Sequence, residues 1–349
     1  MSGSDKPRVA LFTAPESSPA IVFGLYDVLG SVGAVYPDMT TGEAGDALLD
    51  VQIVAAQAEP FRCFGNVLIE PSAAIDAGDD YDVVIVCDLY TPITTAPRGR
   101  FAREAAWLRQ MHAKGSLITS VCTGSLLVAE AGLLEGRTCA GHWAYSDLFG
   151  SEYPGVTFDA AAILVLATET DGVITAGGVT AWQDLALHII ARLCGPEHAI
   201  RTAKVHLLAG HQDGQLPYAA MIRITNPSDA VIVRSQEWLA DNYAIDNPVG
   251  AMIERSGLLP RTFGRRFRAA IGRRPIEYVH EVRIDEARRI LESSSIPVDD
   301  VGFSVGYGDP TFFRRLFKRK TGLTPAAYRR KFATIAPLTR RPPRALAAG

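Results

Sequence analysis

The chain has 349 residues, 48% hydrophobic and 21% charged, a composition that predicts a globular protein of two or three domains and excludes a disulfide-held miniprotein or a wholly disordered chain. Its formal net charge of −3 would, taken alone, argue against a nucleic-acid partner. Divided before Asn226, however, the chain holds 22 Lys and Arg against 13 Asp and Glu in its second part and 13 against 25 in its first, so a +9 region follows a −12 region. That segregation predicts an acidic domain joined to a basic one that meets an anionic partner. Five cysteines without a CxxC pair indicate neither a disulfide framework nor a zinc finger, and no metal or cofactor is expected. With a polar N-terminus and no apolar run of about 18 residues, the expected location is cytoplasmic, without a membrane partner.

In chain order, Val9–Thr13, Val51–Ala55, Val83–Cys87 and Leu117–Val121 are short β-branched runs that predict buried strands. Phe101–Met111 and Ser125–Leu134 have helical spacing. Strands at Ile163–Ala167 and Val173–Ala176, then helices at Trp182–Leu193 and Pro196–Leu208, complete an α/β domain over residues 8–209. Its sheet should be mostly parallel and sandwiched by helices. The Gly-, Gln-, Pro- and Asn-containing stretch 210–229 reads as a linker, residues 230–333 as an all-α domain, and 334–349 as a disordered tail.

The second domain contains a repeat. At an offset of 50, Pro260, Phe263, Arg265, Phe267, Gly272, Pro275 and Tyr278 recur as Pro310, Phe313, Arg315, Phe317, Gly322, Pro325 and Tyr328. Each copy reads as a short helix (Val249–Arg255; Val298–Ser304), a Gly turn and a second helix starting at Pro (Pro260–Ala270; Pro310–Lys320), which is the helix-turn-helix pattern. Two phenylalanines four apart anchor each second helix, leaving Arg261, Thr262, Arg265, Arg266 and Arg268 in one copy, and Thr311, Arg314, Arg315, Lys318 and Arg319 in the other, to meet bases and phosphates. A charged solvent-facing helix is the bland alternative for one copy; two matched copies weigh against it. A connecting helix over Ile276–Leu291 would space the units to reach adjacent major grooves.

Pro260–Tyr278 and Gly306–Tyr328 resemble the two helix-turn-helix units of AraC/XylS-type transcription regulators. The resemblance implies seven helices, with Arg261–Arg265 and Pro310–Arg315 on the base-reading ones. Gly264 departs from it by removing a base-facing side chain; Gly302, where Ala is usual, should be tolerated.

In the first domain an apolar strand ends at Cys122, and Thr123-Gly124 opens a helix. Such an elbow places a nucleophile at a helix N-terminus, where the dipole lowers a thiol pKa and backbone N–H groups can hold an anion. Cys122, Gly124, Ala131–Leu134, His142-Trp143 and Thr175–Gly178 resemble the PfpI/ThiJ-like domain of the class I glutamine amidotransferase-like superfamily. Joined to an AraC-type domain, this is the arrangement of GlxA-type regulators. The resemblance implies that enzymes such as isonitrile hydratases use the elbow Cys with an acid from the loop after the first strand. Here Ile21 stands at that acid's position, Glu16 lies on the same loop at another spacing, and Thr123 replaces the His of protease-like members.

The reading that joins both domains is a sequence-specific transcription regulator, not an enzyme, controlled by a small effector at the elbow, with Glu16, Cys122, Thr123 and Gly124 as polar contacts and His142 on the rim. The resemblance suggests an amine, amino acid or related nitrogen compound. Homodimerisation, promoter DNA and, for an activator, RNA polymerase complete the expected partners. Two alternatives compete: a DNA-tethered Cys-dependent hydrolase or hydratase, and a redox sensor in which Cys122 is a low-pKa thiol near Cys139.

Overall fold

The computed structural model describes residues 6–166, 172–219 and 229–333. The chain divides into two compact units, Met1–Gln215 and Leu216–Gly349. The expected tail 334–349, Ala167 of the expected edge strand and residues 220–228 of the expected linker lie outside the described residues.

The first unit runs β1 (Arg8–Phe12), α1 (Pro19–Gly30), α2 (Val35–Thr41), β2 (Asp50–Ala55), β3 (Phe61–Arg62), β4 (Leu68–Ile69), β5 (Ala73–Ala74) and β6 (Val83–Val86). It continues with α3 (Ala102–Ala113), β7 (Leu117–Val121), α4 (Gly124–Glu130), β8 (Thr138–Cys139), α5 (Ser146–Glu152) and β9 (Thr157–Phe158). Last come β10 (Leu164–Leu166), β11 (Val173–Ala176), α6 (Trp182–Cys194) and α7 (Pro196–His206).

Seven strands form one sheet in the order β10-β11-β7-β6-β1-β2-β5. Every pairing is parallel except that of edge strand β10 with β11. Alternation along each strand builds both cores. Val9, Leu11, Val83 and Ile85 pack with α1 and α6 residues on one face, and Ala10, Phe12, Val84 and Val86 with α3, α4 and α5 residues on the other. Burial on both faces is why these runs read as continuous apolar segments. From β1 the order departs to β2 on one side and β6 on the other, so the carboxyl ends of β1, β6 and β7 flank a topological switch point, where doubly wound sheets place ligands.

The second unit is helical: α8 (Ala230–Asn242), α9 (Pro248–Ser256), α10 (Pro260–Ile271), α11 (Pro275–Ser293), α12 (Val298–Ser304), α13 (Pro310–Thr321) and α14 (Pro325–Phe332). The offset of 50 reappears in three dimensions. Helices α10 and α13 both begin at Pro and end at a left-handed Gly (Gly272 and Gly322, φ 77° in each). Phe263 and Phe267 centre one core, Phe313 and Phe317 a second, while α11 contributes Tyr278, Val279 and Val282 to the first and Ile284, Ala287 and Leu291 to the second. The connecting helix has 19 residues, about 28 Å at 1.5 Å per residue, three longer than the sequence pattern indicates. Gly302 has a packing reason: a Cβ there would lie 2.8 Å from the Phe313 ring.

Of the segment expected as a linker, 210–215 are built into the first unit and 216–219 into the second. Gln215 is buried, and its side chain bonds Gly141, Ala162 and Gly178. Pro217 and Ala219 are bonded by Arg288 of α11.

Candidate functional site

Three loops meet at the switch point. From the β1 loop, Glu16 accepts the Tyr90 N–H at its backbone carbonyl (3.1 Å). From the β6 loop, the Asp88 carboxylate accepts the Ser18 N–H (2.8 Å), and the Leu89 N–H donates to the Thr123 hydroxyl oxygen (3.0 Å). The β7 loop is the elbow itself, where Cys122 stands at φ 57°. A left-handed non-Gly residue is strained and persists only where surroundings enforce it. Here the Cys122 N–H donates to both Ala176 (3.1 Å) and Gly177 (2.8 Å).

Gly124 is required by packing: a Cβ would lie 2.5 and 2.6 Å from the Val86 and Cys87 carbonyl oxygens of the neighbouring strand. Close approach of α4 to β6 therefore fixes this position as glycine.

The surroundings of Cys122 act against the low thiol pKa expected from the elbow. The Cys122 thiol is buried and pushed up to about 12 by burial first and then by the Asp88 charge. Hydrogen bonds from the Thr123 backbone and hydroxyl act in the opposite direction without offsetting these. Helix α4, which follows the elbow, has seven residues. Cys139 is likewise pushed up to about 12 by burial, and all five cysteines are free. This burial weighs against the redox reading, which needs a low-pKa thiol.

The sequence reading named no acid for Cys122 and did not single out Asp88. The Glu16 carboxylate is ion-paired with Arg100, and the acid acting on Cys122 is Asp88. Burial raises Asp88 to about 6. Its signal was an Asp immediately after a buried strand at the carboxyl edge of a parallel sheet. Ile21, at the position of the isonitrile hydratase acid, is fully buried in the α1 core. Tyr145 was also missed: its hydroxyl donates to the Thr91 carbonyl, its own pKa is raised to about 12 mainly by burial and next by Cys122, and its ring meets His142 edge-on at 6.2 Å. The His142 Nδ1 accepts the Ala144 N–H (3.2 Å), and burial lowers the ring's pKa. Among the described residues no group of three or more His, Cys, Asp or Glu could hold a metal ion.

In the helical unit, Arg261, Arg265 and Arg268 on α10 and Thr311, Arg314, Arg315, Lys318 and Arg319 on α13 are exposed, and Thr262 is half-buried. Arg266 is the exception. Its guanidinium makes a bidentate pair with Asp229 (2.8 Å for both bonds), which also caps α8 through the Val231 N–H (3.0 Å). Arg266 thereby holds the start of α8 against α10. Arg314 pairs with Asp299 across the second helix-turn-helix. Arg283, unremarked in the sequence, is buried in α11 and donates to Tyr243 (2.7 Å), Ile245 (2.7 Å) and Gly306 (2.8 Å), tying the turn of the second unit to the end of α8.

An α/β domain with an elbow cysteine, followed by a duplicated helix-turn-helix, defines the class of protein. The DJ-1/PfpI family model matches residues 8–192 and a helix-turn-helix domain model residues 252–331; the chain belongs to the DJ-1/PfpI family and carries an AraC-type helix-turn-helix domain. It is similar to the HTH-type transcriptional regulator CdhR of Pseudomonas aeruginosa, 26% identical over 319 residues, covering 89% of this chain and 91% of that protein. It is also similar to the HTH-type transcriptional regulator GlxA of Rhizobium meliloti, 26% identical over 64% of this chain and 68% of that protein. Over 55% of this chain and 74% of the relative, it is 27% identical to isonitrile hydratase of Pseudomonas putida.

Proposed function

We propose that the chain is a sequence-specific transcription regulator, acting as a cytoplasmic homodimer, whose helical unit binds promoter DNA through α10 and α13 and whose α/β unit senses a small effector at the elbow. One observation carries the DNA assignment: two helices of matching start, cap and aromatic anchor, 50 residues apart, each turn a cationic face outward. Neither a catalytic nor a structural role for this unit accounts for that duplication.

At the elbow, the Glu16 charge is met by Arg100, whereas Asp88 is a buried carboxylate beside Cys122. This electrostatics supports an effector that brings a positive or hydrogen-bond-donating nitrogen, with Tyr145 and His142 as its apolar and aromatic neighbours. Thr123 and Gly124 then act chiefly by shaping the elbow. An effector with different affinity for two arrangements of the protein would shift the DNA-competent population.

A hydratase remains the second reading because of the elbow and the similarity to isonitrile hydratase. The raised Cys122 pKa and Ile21 at the acid position weigh against it. A thermal-shift screen of the full chain against amines, amino acids and quaternary ammonium compounds, with depletion of each ligand assayed, separates the two. A stabilising ligand that is not consumed supports the sensor; turnover lost in Cys122→Ala supports the enzyme. Effector response intact in Cys122→Ala combined with Thr123→Val would exclude the elbow as the sensing site.

A further inference from the structure

The strongest feature outside the elbow and the DNA-facing helices is the segment 210–219. It opens with a latch: the His211 backbone N–H and Nδ1 both engage the Asp184 carboxylate (3.0 and 2.6 Å), and Nε2 shares a hydrogen bond with the Thr180 hydroxyl (3.2 Å). Gly214, at φ 68°, brings the chain so close to Ala161 that a Cβ would sit 2.6 Å from its carbonyl oxygen. The next N–H, that of Gln215, donates to the same carbonyl (3.0 Å).

The Gln215 side chain then fills a cradle made by consecutive glycines. A Cβ on Gly177 would lie 2.4 Å from its Nε2, and one on Gly178 would lie 3.0 Å from its Oε1. The amide donates to Gly141 (2.9 Å) and Ala162 (2.8 Å) and accepts the Gly178 N–H (2.8 Å). Both sides of this cradle touch the elbow. Gly141 precedes His142, and the Gly177 carbonyl receives the N–H of the strained Cys122.

Within four residues the chain is gripped again, by the second unit. Arg288 donates to the Pro217 (3.0 Å) and Ala219 (2.6 Å) carbonyls and to the Tyr328 hydroxyl (2.8 Å), which itself donates to Glu292 (2.6 Å). Arg288 and Glu292 lie on α11, the helix joining the two helix-turn-helix units, and Tyr328 on the last helix.

We propose that Gln215 is a positioning residue for regulation, and that segment 210–219 is the covalent coupling that carries the state of the elbow from the Gly177–Gly178 cradle to Arg288 on α11. Its regulatory meaning rests on the transcription-regulator reading. The strap suits the task because its two grips lie so close in sequence. Only Leu216 separates Gln215 from Pro217, so the strap offers little chain in which a displacement could be lost.

Amide hydrogen exchange on the full chain tests the coupling without an effector. Gln215→Ala removes the acceptor of the Gly178 N–H, and Gly178→Ala displaces the side chain while retaining it. Both should speed exchange at residue 178 by about tenfold and alter exchange in Asp285–Leu291 and α14 by about threefold or more. Inserting Gly-Ser-Gly-Ser between Gln215 and Leu216 in each variant should leave the first effect and abolish the second. No effect beyond residue 216 in the uninserted variants, or one that survives the insertion, would overturn the proposal. Titration of the unmodified chain with a mixed-sequence DNA duplex is scored separately. Failure to bind at low salt contradicts the regulator reading, whereas the strap is judged by the exchange pattern alone.

Discussion

The two helix-turn-helix copies and the elbow differ in how their residues meet. In the helical unit each copy is closed within about 30 residues, and Pro, Phe, Gly, Pro and Tyr recur at the offset that later starts, anchors and caps the helices. At the elbow, Glu16, Asp88 and Cys122 come from three loops separated by dozens of residues, and their roles follow from which loop lies nearest. Local repetition can be read along a chain; convergence at a switch point requires the strand order.

The largest effects should come from the repeated anchors. Phe263→Ala and Phe313→Ala each empty a fully buried site and should lower unfolding free energy by about 3–5 kcal/mol in denaturant titrations. A loss confined to one copy would show that the duplicated cores are not equivalent. Next, Arg265→Ala and Arg315→Ala should each cost about 1–3 kcal/mol of discrimination between selected and scrambled DNA. Arg266→Ala, which loses the Asp229 pair, should leave base preference unchanged, and a changed preference would return Arg266 to the reading face.

For the elbow, Asp88 supplies a comparable test with a defined pH window. Its folded pKa is raised from 3.8 to about 6, so the native state binds more protons between these values and loses stability as pH rises through them. Asp88→Asn should therefore stabilise the chain at pH 8 by up to about 3 kcal/mol, with the gain shrinking towards pH 4. Destabilisation at pH 8 would mean that the carboxylate has a partner that compensates its burial. The smallest expected effect is on Cys122. A thiol pushed up to about 12 should resist iodoacetamide at pH 7.5 while glutathione in the same tube is consumed; rapid labelling would restore the catalytic and redox readings.

The sequence made most of the parallel sheet legible because strands buried on both faces leave uninterrupted β-branched runs, as at Leu117–Val121, which the structure reproduces residue for residue. It made both α10 and α13 legible through Pro starts and left-handed Gly caps. It pointed to a low thiol pKa at Cys122 from the helix dipole, whereas burial pushes that pKa up, and it did not show that Glu16 pairs with Arg100, 84 residues away. Arg266 was grouped with its exposed neighbours because Asp229 lies 37 residues upstream. The strap was hidden by its composition: Gly214 and Gln215 look like linker residues until Ala161 and the Gly177–Gly178 cradle are seen against them.

The central claim is that one chain reads DNA with two matched helices. Footprinting the full chain on a duplex selected from a random pool tests it most directly. The account predicts two protected major-groove segments per chain about 10 base pairs apart, with Arg265→Ala and Arg315→Ala each relaxing a different one. A single protected segment, or binding without sequence preference, would contradict it.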